Sequence, residues 1–198
     1  MEPVLVTARL VLRPFTPADV DGLLALDGDP ELMRFLDSHV KTRAEIETDV
    51  LPLLLASQPS EAGFGRLAAD ARADGRFIGW FGLRPVRPGP GAMVRWRGGL
   101  DATRTAELGY RLRRGAWGRG YATEGTRALV RRAFGELDVA ELVATTMAVN
   151  LRSRRVMEKA GLRYARTVHA AWDDPLEGTE QGEVEYRLRR EDYEETAT

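Results

Sequence analysis

The feature that most constrains this chain is a glycine turn between a strand and a helix. Residues 106–113 are predicted to form the strand, and Trp117-Gly118-Arg119-Gly120 leads into a helix from about Gly120 to Phe134. Glycine at 118 and 120 allows a tight turn and close approach to a ligand. The first amides of a helix have no partners within it and carry partial positive charge. The pattern predicts either a phosphate or pyrophosphate site or a turn that only packs the helix closely on the strand.

Two common phosphate-binding motifs do not fit this turn. It lacks the third glycine and the downstream acidic residue of a dinucleotide fingerprint, and it lacks the Gly-Lys-Ser/Thr of a P-loop. A second segment, Asn150 to Leu162, predicts another helix that Asn150 caps and Gly161 ends. Its apolar face consists of Val156, Met157 and Ala160.

Together these segments resemble a known family. Trp117-Gly118-Arg119-Gly120-Tyr121-Ala122-Thr123-Glu124-Gly125, followed by Asn150-x-x-Ser153-x-x-Val156-Met157-Glu158-Lys159-Ala160-Gly161-Leu162, is similar to the GNAT superfamily of acetyl-CoA-dependent N-acetyltransferases. The start, Thr7 to Phe15, resembles the RimJ/RimL-like branch, which includes ribosomal-protein and protein N-terminal acetyltransferases. In the superfamily pattern Gln/Arg-x-x-Gly-x-Gly/Ala, Trp117 stands first, a departure typical of that branch. The matches cover nearly the whole chain.

The resemblance implies an α/β (α+β) GNAT fold with a central mixed, largely antiparallel sheet of six to seven strands, splayed at strands 4 and 5 and flanked by helices. We expect one GNAT acetyltransferase domain over residues 1–198. Strands are predicted over 5–15, 63–69, 76–83, 104–113, 142–147, 162–171 and 182–189. Before the second strand we predict helices from Pro17, over 29–35 and over 42–57, the last interrupted by Pro52. Residues 85–101 form a long loop that contains Arg95-Trp96-Arg97.

Composition excludes several functions. The formal net charge of −1 argues against nonspecific nucleic-acid binding. The absence of cysteine excludes disulfides, thiolate metal sites and an acyl-cysteine intermediate, and two histidines leave little for a metal. No apolar run approaches the length of a membrane span, and Met1-Glu2-Pro3 begins no signal peptide. We therefore expect a cytoplasmic protein without a metal, a nucleic acid or a membrane partner.

The resemblance also assigns the acetyl-CoA site. Backbone groups near residues 110–112 are expected to bind the pantetheine and the acetyl carbonyl, and amides 118–123 the pyrophosphate, with Arg114 and Arg119 as supporting cations. Arg152, Arg154 and Arg155 either contact the 3′-phosphate side or form a solvated face. The expected cosubstrate-binding residues are Tyr110, Arg111, Leu112, Arg114, Trp117, Gly118, Arg119, Gly120, Tyr121, Ala122, Thr123, Asn150 and Ser153.

Two catalytic residues are predicted, each with an alternative. Glu107 is expected to act as a general base, directly or through water, or else to be a surface or salt-bridged strand residue. Many GNAT enzymes use a tyrosine as the general acid seven residues after the capping asparagine, but this chain has Met157 at that position. In the RimL-like branch the serine three residues after the asparagine takes a similar position, which is Ser153. A hydroxyl at a helix N-terminus can donate to a thiolate, or it can only complete the capped turn.

The acceptor is expected to be a primary amine, either a protein N-terminus or a small amine. Before the last strand, Asp173, Asp174, Glu177, Glu180 and Glu183 form an acidic link after Trp172. This link either attracts a cationic amine or basic peptide or is an ordinary solvated loop. The alternative function is an acyl-CoA-binding module without catalysis, which the missing tyrosine favours. A homodimer is left open.

Overall fold

The computed structural model describes residues 2–57, 63–87, 95–96, 104–170 and 174–197. Within these residues, nine strands form one mixed sheet. They are β1 (Leu5–Val6), β2 (Leu10–Arg13), β3 (Gly65–Ala71), β4 (Phe77–Arg87), β5 (Arg95–Trp96), β6 (Thr105–Leu112), β7 (Glu141–Met147), β8 (Arg163–Val168) and β9 (Glu183–Arg189). Eight follow the order β1-β2-β3-β4-β6-β7-β9-β8, and β5 pairs with β4. All pairs are antiparallel except β6 with β7.

The sheet confirms the predicted fold class. It has more strands than the expected six to seven because two-residue strands, β1 and β5, add to it. The predicted hairpin over 63–83 is β3–β4, and the predicted closing pair is β8–β9.

Helices cover both faces of the sheet. They are α1 (Val20–Asp27), α2 (Pro30–Met33), α3 (Arg43–Glu45), α4 (Leu51–Ala56), α5 (Tyr121–Gly135), α6 (Leu151–Lys159) and α7 (Arg190–Ala197). The main core includes the buried side of α5 and Met157 of α6, whereas α1 contacts β4 from the opposite face. Among the described helices, none is long and apolar enough to cross a bilayer.

Alternation along β6 separates apolar from charged residues. Leu108 and Leu112 are buried in the main core with α5. Because successive side chains of a strand point to opposite faces, Glu107, Gly109 and Arg111 belong to the face that carries α1. A polar cluster therefore lies on the face opposite α5 and α6.

The first strand differs from its prediction. Residues 5–15 form two short strands, in which Leu5 pairs with Leu12 and Val6 with Val11. The Thr7 hydroxyl accepts a hydrogen bond from the Leu10 amide at 2.9 Å and closes the turn between them. The alternation of apolar and polar residues cannot reveal such a turn, because the turn depends on a hydrogen bond from a backbone amide to the Thr7 side chain.

The third predicted helix is interrupted before Pro52 rather than at it. Residues Ile46–Val50 form a wider π-helical turn between α3 and α4, and Pro52 lies in the first turn of α4. Proline has no N–H to donate to the carbonyl four residues earlier. A widened turn ahead of it is a common way to accommodate that loss, so this prediction was right about the interruption and imprecise about its form.

The long loop and the C-terminus complete the chain. Strand β4 continues through Pro85 to Arg87 and pairs with β5, so part of the predicted 85–101 loop is sheet. Arg97 and most of that loop lie outside the described residues. The C-terminal helix α7 was not predicted, and Tyr193 on it stacks on Phe134 of α5 at 5.2 Å between ring centroids.

Candidate active site

The central feature of the site is the separation of β6 from β7. The two strands pair only from Thr105 with Glu141 to Glu107 with Val143. Beyond these residues β6 stays paired with β4 as far as Leu112, and β7 stays paired with β9 as far as Met147. The strands thus open into a gap at their carboxyl ends, as predicted for strands 4 and 5.

The open edge of β6 offers backbone groups to this gap. The Arg113 amide donates to the Ile78 carbonyl of the β4 side at 2.8 Å. Since peptide groups alternate along a strand, the Arg111 amide also points to β4, and those of Tyr110 and Leu112 point into the gap. The Trp117 indole donates to the Leu112 carbonyl at 2.7 Å. Two of the three predicted backbone positions therefore face the gap.

The turn after β6 presents a row of free amides. No hydrogen bond from the backbone N–H groups of residues 118–123 is found within the described chain, and the first helical bond is from Glu124 to the Gly120 carbonyl. Gly118 and Gly120 have φ of +70° and +82°, which side chains other than glycine rarely adopt. Free amides at the N-terminus of a helix such as the fifteen-residue α5 attract anions.

Several arginine side chains lie near the turn, and some of them already form hydrogen bonds or ion pairs within the protein. The guanidinium groups of Arg9 and Arg119 lie over the Tyr121 ring, 4.8 and 5.6 Å from its centroid. Arg9 also donates to the Arg119 carbonyl at 2.9 Å. Arg114 is 61% exposed and pairs with Asp29 at 3.3 Å.

Glu124 fixes the N-terminal hairpin against this turn. Its carboxylate accepts hydrogen bonds from the Thr7 hydroxyl, the Arg9 amide and the Arg9 guanidinium at 2.6, 2.8 and 2.6 Å. Burial raises the pKa of Glu124, but these hydrogen bonds and the charge of Arg9 outweigh it, so the pKa is lowered overall.

Beside the turn lies a cavity of about 520 Å³. Gly120 and Thr123 form its border with the turn, whereas Ala122 packs against the core. The positively charged residues that line it are Arg9, Arg127, Arg131 and Lys159. Local sequence patterns do not reveal this cationic cavity, because its residues come from three separate segments of the chain.

The two hydroxyl groups of Tyr110 and Ser153 meet between the arms of the gap. Their oxygens are 3.0 Å apart. Burial raises the pKa of Tyr110 to about 12, although the hydrogen bond with Ser153 lowers it. The Asn150 side chain caps α6 by accepting from the Ser153 amide at 3.2 Å. The cap thus uses the Ser153 N–H, and the hydroxyl is left to Tyr110.

The arginines at the start of α6 have different environments. The Arg152 guanidinium lies 5.1 Å from the centroid of the Trp117 indole, which places it beside the gap. Arg154 points away, donating to the Tyr186 hydroxyl at 3.1 Å and the Ala148 carbonyl at 3.0 Å. Its role is to join α6 to β7 and β9.

Two carboxyl groups lie on the face that carries α1. Glu107 forms an ion pair with Arg84 of β4 and is 14% exposed. Glu183 begins β9 opposite Met147, and within the described chain its carboxyl has neither a hydrogen bond nor an ion pair. Burial raises the pKa of Glu183, and the negative charge of Glu107 raises it further.

The acidic link is only partly described. The Asp174 carboxylate accepts a hydrogen bond from the Ser38 hydroxyl. Glu177 and Glu180 line a cavity of about 290 Å³ that Arg34 and Phe35 close from the opposite side. Trp172 and Asp173 lie outside the described residues. His39 Nε2, near α3, donates to the Glu45 carboxylate at 2.8 Å. Hydrogen bonds from Thr42 are the main reason that the pKa of Glu45 is lowered to about 2.

The described residues contain no group of three histidine or acidic side chains placed to hold a metal.

Comparison with known proteins identifies the family. Residues 9–163 match the model of the acetyltransferase (GNAT) domain, so the chain belongs to the GNAT acetyltransferases. It is an acetyl-CoA-dependent N-acetyltransferase.

Three similar proteins illustrate the match. The chain is 36% identical over 192 residues to the FsC-acetyl coenzyme A-N(2)-transacetylase of Aspergillus fumigatus, covering 97% of this chain and 78% of that relative. An acetyltransferase structure from Agrobacterium tumefaciens has a TM-score of 0.66 at 26% identity, covering 96% and 95% of the two chains. The spermidine N-acetyltransferase of Vibrio cholerae, solved with CoA and spermine, has a TM-score of 0.72 at 14% identity, covering 94% and 99%.

Proposed function

We propose that this chain moves the acetyl group of acetyl-CoA to a primary amine by direct attack within a ternary complex. The observation that carries the proposal is the presence of two sets of unpaired backbone donors, one on the open edge of β6 and one formed by the amides of residues 118–123. The name of the Aspergillus relative, which specifies acetyl coenzyme A and N(2), supports nitrogen as the acceptor atom. Direct attack fits a chain without cysteine, because no thiol is present to form an acyl-cysteine intermediate.

The cosubstrate is proposed to lie along these donors. The pantetheine follows the Tyr110 and Leu112 peptide groups in the gap, and the pyrophosphate lies on the amides of residues 118–123, supported by Arg114 and Arg119. The cationic cavity beside Gly120 is a suitable place for the 3′-phosphate end, because arginine and lysine favour phosphate oxygens.

The reaction forms one bond and breaks one. The neutral amine attacks the thioester carbonyl carbon, an N–C bond forms, and the carbon–sulfur bond breaks with its electron pair on sulfur. Backbone N–H groups aimed into the gap stabilise the developing oxyanion, and holding both substrates close supplies much of the rate. The nitrogen must lose one proton, and the thiolate must gain one.

A carboxyl group on the face of the sheet that carries α1 is proposed to accept the proton from nitrogen. Glu107, predicted from the sequence, is held by Arg84, whose guanidinium competes for its carboxylate oxygens. Glu183 has no such competitor, and its raised pKa makes it a better proton acceptor near neutral pH. We therefore add Glu183 as a second candidate for the general base.

The hydroxyl pair of Tyr110 and Ser153 is proposed to return a proton to sulfur. Their 3.0 Å hydrogen bond lets Ser153 donate to the thiolate and recover its proton from Tyr110. The N-terminus of α6 favours negative charge at that position. Tyr110 thus provides a phenol close to the region where Met157 replaces the tyrosine of many family members.

Only similarity to other proteins indicates which kind of primary amine the acceptor is. The RimJ/RimL-like start of the chain supports a peptide N-terminus, whereas the Vibrio enzyme, which shares the fold, was solved with the small amine spermine. A panel of small amines and short peptides, with thiol release from acetyl-CoA as the readout, tests the proposal. Thiol release in step with acetylated amine is the expected result. Binding of acetyl-CoA without thiol release from any acceptor would favour a binding module without catalysis.

A further inference from the structure

Arg66, on the face of the sheet that carries α1, lacks a carboxylate partner within the described chain. Arg84 pairs with Glu107, and Arg111 pairs with Asp27. Within the described chain, the Arg66 side chain on β3 makes no hydrogen bond and no ion pair, although it is only partly exposed. The cluster therefore contains one positive charge without a counter-ion.

The surroundings of Arg66 do not favour its charge. Burial lowers the pKa of Arg66, and the charges of Arg84 and Arg111 lower it further, against smaller opposing effects of Glu107 and Asp27. A guanidinium nevertheless stays protonated in proteins. A partly buried cation without a partner is costly, and such a group is more common at binding sites than in purely structural positions.

Arg66 extends over a strip of the sheet that has no side chains. It pairs with Gly82 of β4, which in turn pairs with Gly109 of β6 at the edge of the gap. A Cβ at Gly82 would lie 3.0 Å from the Arg66 Cγ, so the stem of Arg66 crosses this glycine. Its guanidinium lies 5.2 Å from the centroid of the Trp80 ring, and Arg111 lies 5.7 Å away from the same centroid. The Trp80 ring thereby holds Arg66 in place, and it also lies beside Gly109, 3.6 Å from where a Cβ of that residue would stand.

We propose that Arg66 binds a carboxylate of the acceptor, so that the preferred acceptor is an amine that also carries a carboxylate. This inference rests on the proposed acetyl transfer and names the substrate class of the same site. The planar guanidinium matches a carboxylate in two parallel hydrogen bonds. Gly82 lets the stem of Arg66 lie across β4 toward β6 and the gap, where the amine has to meet the thioester.

The amine end of the acceptor would lie near negatively charged side chains. Glu183 and Glu107 lie on the same face, nearer β7 and β9, and attract the ammonium form before it loses its proton. An acceptor with both groups satisfies both ends of the site. A purely cationic amine, one of the two acceptors that the acidic link suggests from the sequence alone, leaves Arg66 without a counter-ion within the described chain.

Matched acceptors test the inference. Lysine, lysinamide and cadaverine share a primary amine but carry a carboxylate, a neutral amide or neither. A dipeptide and its C-terminal amide provide the same contrast for a peptide source. Thiol release should give kcat/KM about 10- to 100-fold higher for the carboxylate member of the better set, the range expected for a charge-assisted pair. Arg66→Gln should reduce that ratio to near one, mainly through KM, and Arg66→Lys should restore part of it.

A control variant and three outcomes make the test decisive. Arg76→Gln removes an arginine that is 72% exposed in the β3–β4 turn, and it should leave the ratio unchanged. Equal use of the carboxylate and amide forms by the wild-type chain would overturn the inference while leaving acetyl transfer intact. A preference that survives in folded Arg66→Gln would also overturn it. Absence of thiol release with every amine would instead overturn the proposed function, and the inference with it.

Discussion

The Tyr110 hydroxyl on β6 lies 3.0 Å from the Ser153 hydroxyl on α6, across the gap where the central strands separate. The Ser153 amide is used separately, as the donor to Asn150 in the helix cap. Met157, at the position of the usual acidic tyrosine, is 3% exposed and packs in the core. The phenol of Tyr110 thus contacts α6 at Ser153, about one helical turn before Met157.

The hydroxyl pair is predicted to assist departure of the thiolate. Ser153→Ala and Tyr110→Phe should each lower kcat about 10²-fold, with little change in affinity for acetyl-CoA. The double variant should be about as slow as the slower single variant, because the two groups act as a unit. Steady-state kinetics with saturating acetyl-CoA measures this.

Stability separates this role from capping. Ser153→Ala keeps the amide that Asn150 caps, so its melting temperature should hardly change. Asn150→Ala removes the cap and should cost about 1 kcal/mol. If Ser153→Ala loses as much stability as Asn150→Ala while keeping its kcat, the serine only completes the turn.

Gly120 is predicted to be essential for binding acetyl-CoA. A side chain at φ of +82° is strained, and its Cβ would lie 3.2 Å from an Arg9 guanidinium nitrogen, beside the free amides. Gly120→Val should abolish calorimetric binding in a chain that remains folded. Gly115→Val is the matched control, because a Cβ there meets nothing within 4 Å. Unchanged affinity in folded Gly120→Val would exclude this site.

Glu183 is predicted to set the acidic limb of the pH–rate profile. Its carboxyl must be ionised to accept a proton, and its pKa is raised, so kcat/KM should rise with pH above the ordinary glutamate pKa of 4.5. Glu183→Gln should remove this limb and slow the reaction about 10²- to 10⁴-fold. It should also stabilise the fold increasingly above pH 4.5, since a raised pKa means that the ionised form is disfavoured.

Glu107→Gln provides the comparison. If that variant, and not Glu183→Gln, removes the limb, Glu107 is the base in spite of its ion pair with Arg84.

Glu124 is predicted to couple the N-terminal hairpin to the cosubstrate turn in a pH-dependent way. Its pKa is lowered in the folded chain, so its contribution to stability is complete above the ordinary value of 4.5 and is lost as the pH falls through the lowered pKa. Glu124→Gln should therefore reduce the unfolding free energy at pH 7, with a smaller difference in acid. Glu136→Gln, 58% exposed on the same helix, should have little effect. A pH-independent loss in Glu124→Gln would contradict the electrostatic explanation.

Local patterns predicted much of the fold. The glycine turn, the cap at Asn150 and the stop at Gly161 depend on residues adjacent in sequence, and the structure begins α5 at Tyr121 and α6 at Leu151. The first strand and the third helix were less exact, because Thr7 closes a turn with its side chain and the chain widens before Pro52.

The electrostatics of the site could not be predicted in the same way. Arg84 is 23 residues from Glu107, and Arg111 is 84 residues from Asp27, so their pairing depends on the register of distant elements. The Tyr110 hydroxyl was likewise missed, because residue 110 was assigned a role through its backbone. Only alternation along β6 and its pairing with β4 determine which face each charge occupies.

Intact-protein mass spectrometry combined with thiol release tests direct acetyl transfer in a ternary complex most directly. The wild-type chain is mixed with acetyl-CoA alone, and an accepting amine is added afterwards. We expect no acetylated protein and no appreciable thiol release before the amine is added, followed by equal amounts of free thiol and acetylated amine. An acetylated protein that forms with acetyl-CoA alone, and passes its acetyl group to the amine after the CoA is removed, would contradict the account.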